Sequence, residues 1–206
     1  MIQSRREFLK NVGKVAVAAS VASVIPMSAM AEAPAAHPYT YYKLDPEKVA
    51  DCAYKRFSEL GGCCVGVVAG LIDCLAEANP KYAEFPVKMF QNGAAGYGQN
   101  SLCGCLGGAA AIIGLVCESA DSKAVLKEVM TWYKESTLPT YDRGTPAIAA
   151  VVPGSPNCAD SLLKFFEAAP SVNYDMSNPD RVNRCRCLTA DVARKTAEAL
   201  NAHFGV

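Results

Sequence analysis

The chain has 206 residues, a formal net charge of zero and an apolar half (51% hydrophobic), enough for one domain with a substantial core. No basic patch or run of like charge points to nucleic acid or an anionic membrane surface as partner. Ten cysteines stand against two histidines, His37 and His203, and no C-x-x-C spacing occurs, which excludes thioredoxin chemistry, c-type haem attachment and common zinc-finger spacings in their usual forms.

Residues 1–31 read as an export signal: Ser4-Arg5-Arg6-Glu7-Phe8-Leu9-Lys10, an apolar run from Val15 to Ile25, and Ala29-Met30-Ala31 for cleavage. The apolar run is too short for a stable anchor, so none is expected once the signal is removed. The paired arginines followed by Phe-Leu-Lys resemble the twin-arginine signal. That resemblance implies delivery of a folded protein to the bacterial periplasm, often with its cofactor already inserted. The segment holds Arg5, Arg6, Lys10 and Lys14 against Glu7, and removing this +3 leaves the rest near −3.

Residues 32–44, rich in Pro, Ala and Tyr without periodicity, read as a linker or surface arm, and residues 45–206 as one helical domain. Asp45-Pro46 gives an N-cap with proline at the first helical position, opening a helix to Leu60 that Gly61-Gly62 ends. Cys63-Cys64-Val65 opens a second helix, to Ala78, with Val65, Val68, Ile72 and Leu75 at helical spacing and Pro80 as its stop. A short helix over 85–90 and a glycine-rich loop follow.

Ser101 to Leu115 is an apolar helix start with no charge before Glu118, and such a helix must be buried. Gly104, Gly107 and Gly108 each cost a helix interior about 1 kcal/mol, so a close approach by another backbone or a bulky group is expected there. Cys103 is expected at the helix entrance, where unpaired N–H groups and the helix dipole favour thiolate. Cys105 is expected in the core, because side chains two apart on a helix diverge.

Asp121 is expected to cap an amphipathic helix with Val125, Val129 and Trp132 as its core stripe. Residues 139–153 read as loop, with 147–152 briefly extended. Ser155 as N-cap and Pro156 as first helical residue place Cys158 in another first turn, and Asn178-Pro179-Asp180 starts a last helix to Phe204 carrying Arg184-Cys185-Arg186-Cys187. Both arginines would favour the Cys185 thiolate. Cys52, Cys74 and Cys117 fit small buried hydrophobes, and His37 and His203 fit surface side chains. The expected fold class is all-α, a single helical bundle of about five to seven helices with a glycine-rich loop and a four-cysteine site.

Cys103-Gly104-x-Leu106-x-Gly108, Gly154-Ser155-x-x-Cys158 followed by Leu162-Leu163, and Cys185-x-x-Leu188 followed by Asp191 and Ala193, in this order after Cys64, resemble the redox-active C-GCAxxG-C-C family. A related domain occurs in split-Soret cytochromes. The resemblance runs from Ala53 to Leu200. It implies that Cys64, Cys103, Cys158 and Cys185 form one site, with an iron-sulfur cluster of two or four irons as the cofactor, and it leaves Cys63, Cys105 and Cys187 as alternate ligands. The C-x-x-C-H of the split-Soret cytochromes is missing, so no c-type haem is expected.

The reading that follows is an exported electron-transfer protein, more a carrier or metal binder than a catalyst, with a redox partner protein and a homodimer left open. Sulfur-only ligation suits iron-sulfur or thiophilic metals. Two alternatives stay open: a copper(I) binding or storage bundle, and a thiol-disulfide protein using Cys63-Cys64, Cys103-x-Cys105 or Cys185-x-Cys187. Structural disulfides alone are a further possibility.

Overall fold

In the computed structural model, residues 37–142 and 148–206 are described. The expected signal, the first part of the linker and the start of the 147–152 stretch lie outside the described residues. Six α-helices carry the described fold: α1 (Pro46–Leu60), α2 (Cys63–Ala78), α3 (Gly104–Val116), α4 (Ser119–Glu135), α5 (Cys158–Ala168) and α6 (Pro179–Phe204). The fold is all-α, and the only β-type pairings among the described residues are two isolated bridges, Leu102 with Asn157 and Leu138 with Val151.

Helix α2 is the hub. Twelve of its sixteen residues are buried, which leaves no solvent face, and α1, α3 and α6 surround it. Two of these neighbours are amphipathic and turn their apolar stripes to it, Val49 and Ala53 from α1 and Leu188, Val192 and Ala193 from α6, while α3 is apolar throughout. The α1 start follows from local chemistry, since the Asp45 carboxylate accepts from the N–H groups of Glu47 and Lys48 ahead of Pro46. Gly61 ends α1 in the left-handed region at φ 81° and lets the chain reverse into α2.

The glycines of α3 answer the expected close approach. A Cβ on Gly104 would strike the Gly93 carbonyl oxygen and the Cys63 sulfur, and one on Gly108 would strike the Cys64 carbonyl oxygen, so α3 lies against the first turn of α2.

Several boundaries differ from expectation. Helix α4 starts at Ser119 after Glu118 rather than under an Asp121 cap. Its fully buried aromatic is Tyr133, while Trp132 is half-buried at the edge of the core. Helix α5 starts at Cys158 with Asn157 as N-cap, because Ser155 spends its hydroxyl on the Asn157 N–H. In place of a helix over 85–90 there are two 3-10 turns, Pro80–Glu84 and Val87–Gly93, separated by Phe85 and Pro86.

The segment 37–44 is a strap along the bundle. The Tyr39 N–H donates to the Leu115 carbonyl, Tyr41 stacks on Phe204, and Asn201 of α6 bonds both the N–H and the carbonyl of Leu44. Asp191, fully buried, accepts from the Thr140 N–H and hydroxyl and from Arg194, which ties the loop after α4 to α6. No helix among the described residues is long and apolar enough to cross a membrane.

Candidate metal centre

A cavity of about 480 Å³ opens where the N-terminal turns of α2, α3 and α5 meet the first half of α6. Five cysteines line it: Cys63, Cys103, Cys105, Cys158 and Cys185. Tyr133 and Ser161 add hydroxyls, Arg181 and Arg184 add guanidinium groups, and Gly61, Gly62, Ala94 and Ala95 form part of its rim. No carboxylate or imidazole lines it.

Helix starts place the sulfurs. Cys63 and Cys158 are the first residues of α2 and α5, Cys103 is the N-cap of α3, and Cys105 is in its first turn. Unsatisfied N–H groups and the positive end of each helix dipole therefore face the region of the thiols. Two segments are also stitched together: the Cys103 N–H donates to the Pro156 carbonyl at 2.8 Å and the Cys158 N–H to the Ser101 carbonyl at 2.6 Å. Those two bonds hold Cys103 and Cys158 side by side.

Of the expected ligands, Cys103, Cys158 and Cys185 line the cavity and Cys64 does not. Its thiol lies against Gly93 near Tyr97, on the other side of α2's first turn, since neighbouring helix residues point about 100° apart. The adjacent Cys63 lines the wall instead. Cys187 is likewise turned away, buried among Ala50, Tyr141 and Ala190. Cys105 is buried in the core, as expected, and also lines the cavity beside Cys103. Because Cys103 is a cap with extended ψ of 127° rather than a helical residue, spacing on a helix does not separate the two side chains.

The thiols are not equivalent. Cys105 hydrogen-bonds both Cys63 and Cys103 and also contacts the Thr189 hydroxyl at 3.5 Å. These bonds lower Cys63 and Cys103 and push Cys105 well up, so in the metal-free protein Cys105 is the proton donor of the trio. Cys103 falls to about 6, with the Cys105 bond the largest cause, aided by the Tyr133 hydroxyl and Arg184. A backbone N–H at Ala95 contributes to lowering Cys63. Ala95 and Tyr97 hold left-handed backbone at φ 51° and 58°, a cost of about 1–3 kcal/mol for each such residue, and this conformation shapes the rim beside Cys63. Burial pushes Cys158 up to about 12 and raises Cys185, which the neighbouring arginines oppose.

Of the two arginines expected to favour the Cys185 thiolate, Arg184 does so from the cavity wall while Arg186 lies over the Tyr54 ring, and Arg181, Tyr133 and Ser161 were missed by sequence reasoning. The Arg184 guanidinium is buried, donates to the Ser161 hydroxyl at 2.6 Å and lies 5.6 Å over the Phe165 ring, yet its Nε has no hydrogen-bond partner. Arg181 also has a buried, unpartnered Nε. Neither has a carboxylate partner in any ion pair among the described residues. A buried cation without a counter-charge is costly by several kcal/mol. Thiolates, or an anionic group held by them, supply that counter-charge. One sequence signal pointed inward: Arg184 stands four residues before the buried Leu188, on the same face of α6.

Among the described residues no group of three or more His, Cys, Asp or Glu is gathered tightly enough to hold one ion. Five sulfurs line the cavity, with Cys105 in hydrogen-bond reach of Cys63 and Cys103. A sulfur-only donor set around a cavity with cationic walls suits a thiophilic metal or metal group.

Residues 50–199 match the family described as "Putative redox-active protein (C_GCAxxG_C_C)". The chain belongs to this family. Split-Soret cytochrome c from Desulfovibrio desulfuricans (strain ATCC 27774 / DSM 6949 / MB) is 28% identical over 166 residues, covering 78% of this chain and 60% of that protein. The chain thus spans about 60% of the length of this curated relative. A solved structure of the split-Soret cytochrome c from Desulfovibrio desulfuricans ATCC 27774, described as having a novel iron centre, superposes with a TM-score of 0.76 at 27% identity, covering 81% of this chain and 72% of that one. Within the C_GCAxxG_C_C match fall all ten cysteines, the cavity and its two arginines.

Proposed function

We propose that this chain is an exported electron-transfer protein that holds an iron-sulfur cluster in the thiol-lined cavity. The observation that carries the reading is the gathering of five sulfurs, from four separate stretches of sequence, around one cavity whose only fixed charges are arginines. The iron centre described in the split-Soret relative supports iron over other thiophilic metals.

Cys63, Cys103, Cys158 and Cys185 are the ligands in this reading, with Cys63 replacing the Cys64 of the sequence expectation. The bound cluster supplies reversible one-electron transfer. Cys105 keeps its proton and donates a hydrogen bond to Cys103, Arg184 and Arg181 balance the negative charge, and Tyr133 holds Cys103 in orientation. Buried donors and cations of this kind raise the potential of a sulfur-ligated centre. The twin-arginine signal takes the protein to the periplasm, where a redox partner protein exchanges electrons with it.

The test is anaerobic purification with iron, sulfide and copper analysis and an absorption spectrum. Iron with matching sulfide, lost in Cys158→Ser, is the expected outcome. Several copper ions per chain without iron would replace this reading by copper storage, the alternative that an all-sulfur wall also favours.

A further inference from the structure

Outside the cavity, a second pair of thiols is built into the bundle. Cys52 on α1 and Cys74 on α2 face each other with their sulfurs 3.8 Å apart. Two glycines bring the helices that close: Gly66 lies against the backbone of Phe57, and a Cβ on Gly70 would strike the backbone of Ala53. With the antiparallel register fixed there, Cys52 and Cys74 meet about one turn further along. A disulfide needs a sulfur separation of about 2 Å, so closing the pair takes a further approach of the two sulfurs from 3.8 Å.

We infer that Cys52 and Cys74 form a reversible dithiol–disulfide couple that exchanges with external small-molecule or protein disulfides, entered through Cys52. The two partners have the unequal exposure this requires. Cys52 is partly buried, at the edge of the core, whereas Cys74 is buried. Lys48 stands one turn before Cys52 on α1 and pairs with Glu77 across the same helix interface. Burial and the neighbouring Cys52 push Cys74 up to about 12, which keeps it protonated until a mixed disulfide forms next to it.

The exchange balances in two steps. The Cys52 thiolate attacks one sulfur of the external disulfide, that S–S bond breaks, and one thiolate leaves. Cys74 then loses its proton, to solvent or to the departed thiolate, and attacks the Cys52 sulfur, releasing the second thiolate. Two electrons pass from the pair to the external disulfide, which ends as two thiols. The couple needs neither metal nor cavity thiols, so it stands apart from the proposed cluster.

The test uses the full chain equilibrated in glutathione buffers from reducing to oxidising, quenched by alkylation and mapped by peptide mass. Trypsin combined with cleavage at Asp73 separates Cys52 and Cys74 from Cys63 and Cys64. The expected result is a Cys52–Cys74 linked peptide, reversed by dithiothreitol, with Cys74→Ser stopping at a glutathione adduct on Cys52 and Cys52→Ser giving neither product. A wild-type chain that stops at the Cys52 adduct, or leaves both thiols alkylated in oxidising buffer, would overturn the inference. The wild-type map decides the question even if a variant fails to fold.

Discussion

The two thiol neighbourhoods differ in how they are made. The cavity draws its sulfurs from four helix starts or early turns far apart in sequence and surrounds them with arginine, tyrosine and serine. The Cys52–Cys74 pair comes from two consecutive helices and sits at the edge of an apolar interface. What separates them is charge: the cavity lowers two of its thiols and carries fixed cations, whereas burial raises Cys74 with little to oppose it. Clustering of cysteines is therefore not what marks a metal site here. The marks are helix N-termini and unpaired arginines.

The sharpest way to break this contrast is to remove one sulfur from each. Cys103→Ser is expected to abolish the iron-sulfur absorption, since a hydroxyl is a poor substitute for thiolate, while Cys52→Ser should leave iron content unchanged. Cys105→Ala should keep the chromophore but shift its reduction potential, because it deletes the S–H donor and not a ligand. Equal loss of iron in the Cys103 and Cys52 variants would erase the distinction.

Alkylation of the metal-free protein sharpens it next. The Cys103 value of about 6 lies below the usual thiol range, so its thiolate form is present above pH 6 and is lost as pH falls through that value. With Cys158 and Cys74 pushed up to about 12, a small iodoacetamide-type reagent at pH 7 should label Cys103 ahead of both. Its rate should fall about tenfold per pH unit below 6. Labelling of Cys74 ahead of Cys103 would reverse the comparison.

A smaller effect is expected at Arg184. Arg184→Met should lower the unfolding free energy of the iron-loaded protein by on the order of 2 kcal/mol more than that of the metal-free protein, because the cation is balanced best when the site is full. Equal losses in both forms, read by denaturant melts, would make Arg184 a packing residue only. The smallest effects concern the frame. Gly108→Ala should cost about 1–3 kcal/mol by driving a methyl into the first turn of α2. Gly114→Ala on the same helix meets nothing within 4 Å and should gain up to about 1 kcal/mol.

Much of the frame was legible in the sequence because it is written in local chemistry. Asp45-Pro46, Gly61-Gly62 and Asn178-Pro179 mark helix ends within a residue or so, and Cys103 stands at its helix entrance as the dipole argument required. The choice between Cys63 and Cys64 was not legible. Helix α2 is buried on every side, so no polar face reveals which way its first turn points. That Cys105 would line the cavity as well as the core was not legible either, since the helical spacing rule fails when one of the two residues is a cap. Tyr133 and Ser161 resemble ordinary amphipathic-helix residues until tertiary contacts bring them to the cavity. Cys52 and Cys74 were read as separate core residues, because their meeting depends on the α1–α2 register set by Gly66 and Gly70.

The paired backbone bonds between 101–103 and 156–158 have a consequence for how such a protein can change over time. They use only main-chain groups, so they persist whatever side chains surround them, and they close the excursion through α3, α4 and the following loop back onto its own starting point. Residues added or lost within the loop between α4 and α5 would lengthen or shorten that excursion without moving the two sulfurs at its base. The chain can thus acquire new surface for other partners there while the spacing of Cys103 and Cys158 stays fixed.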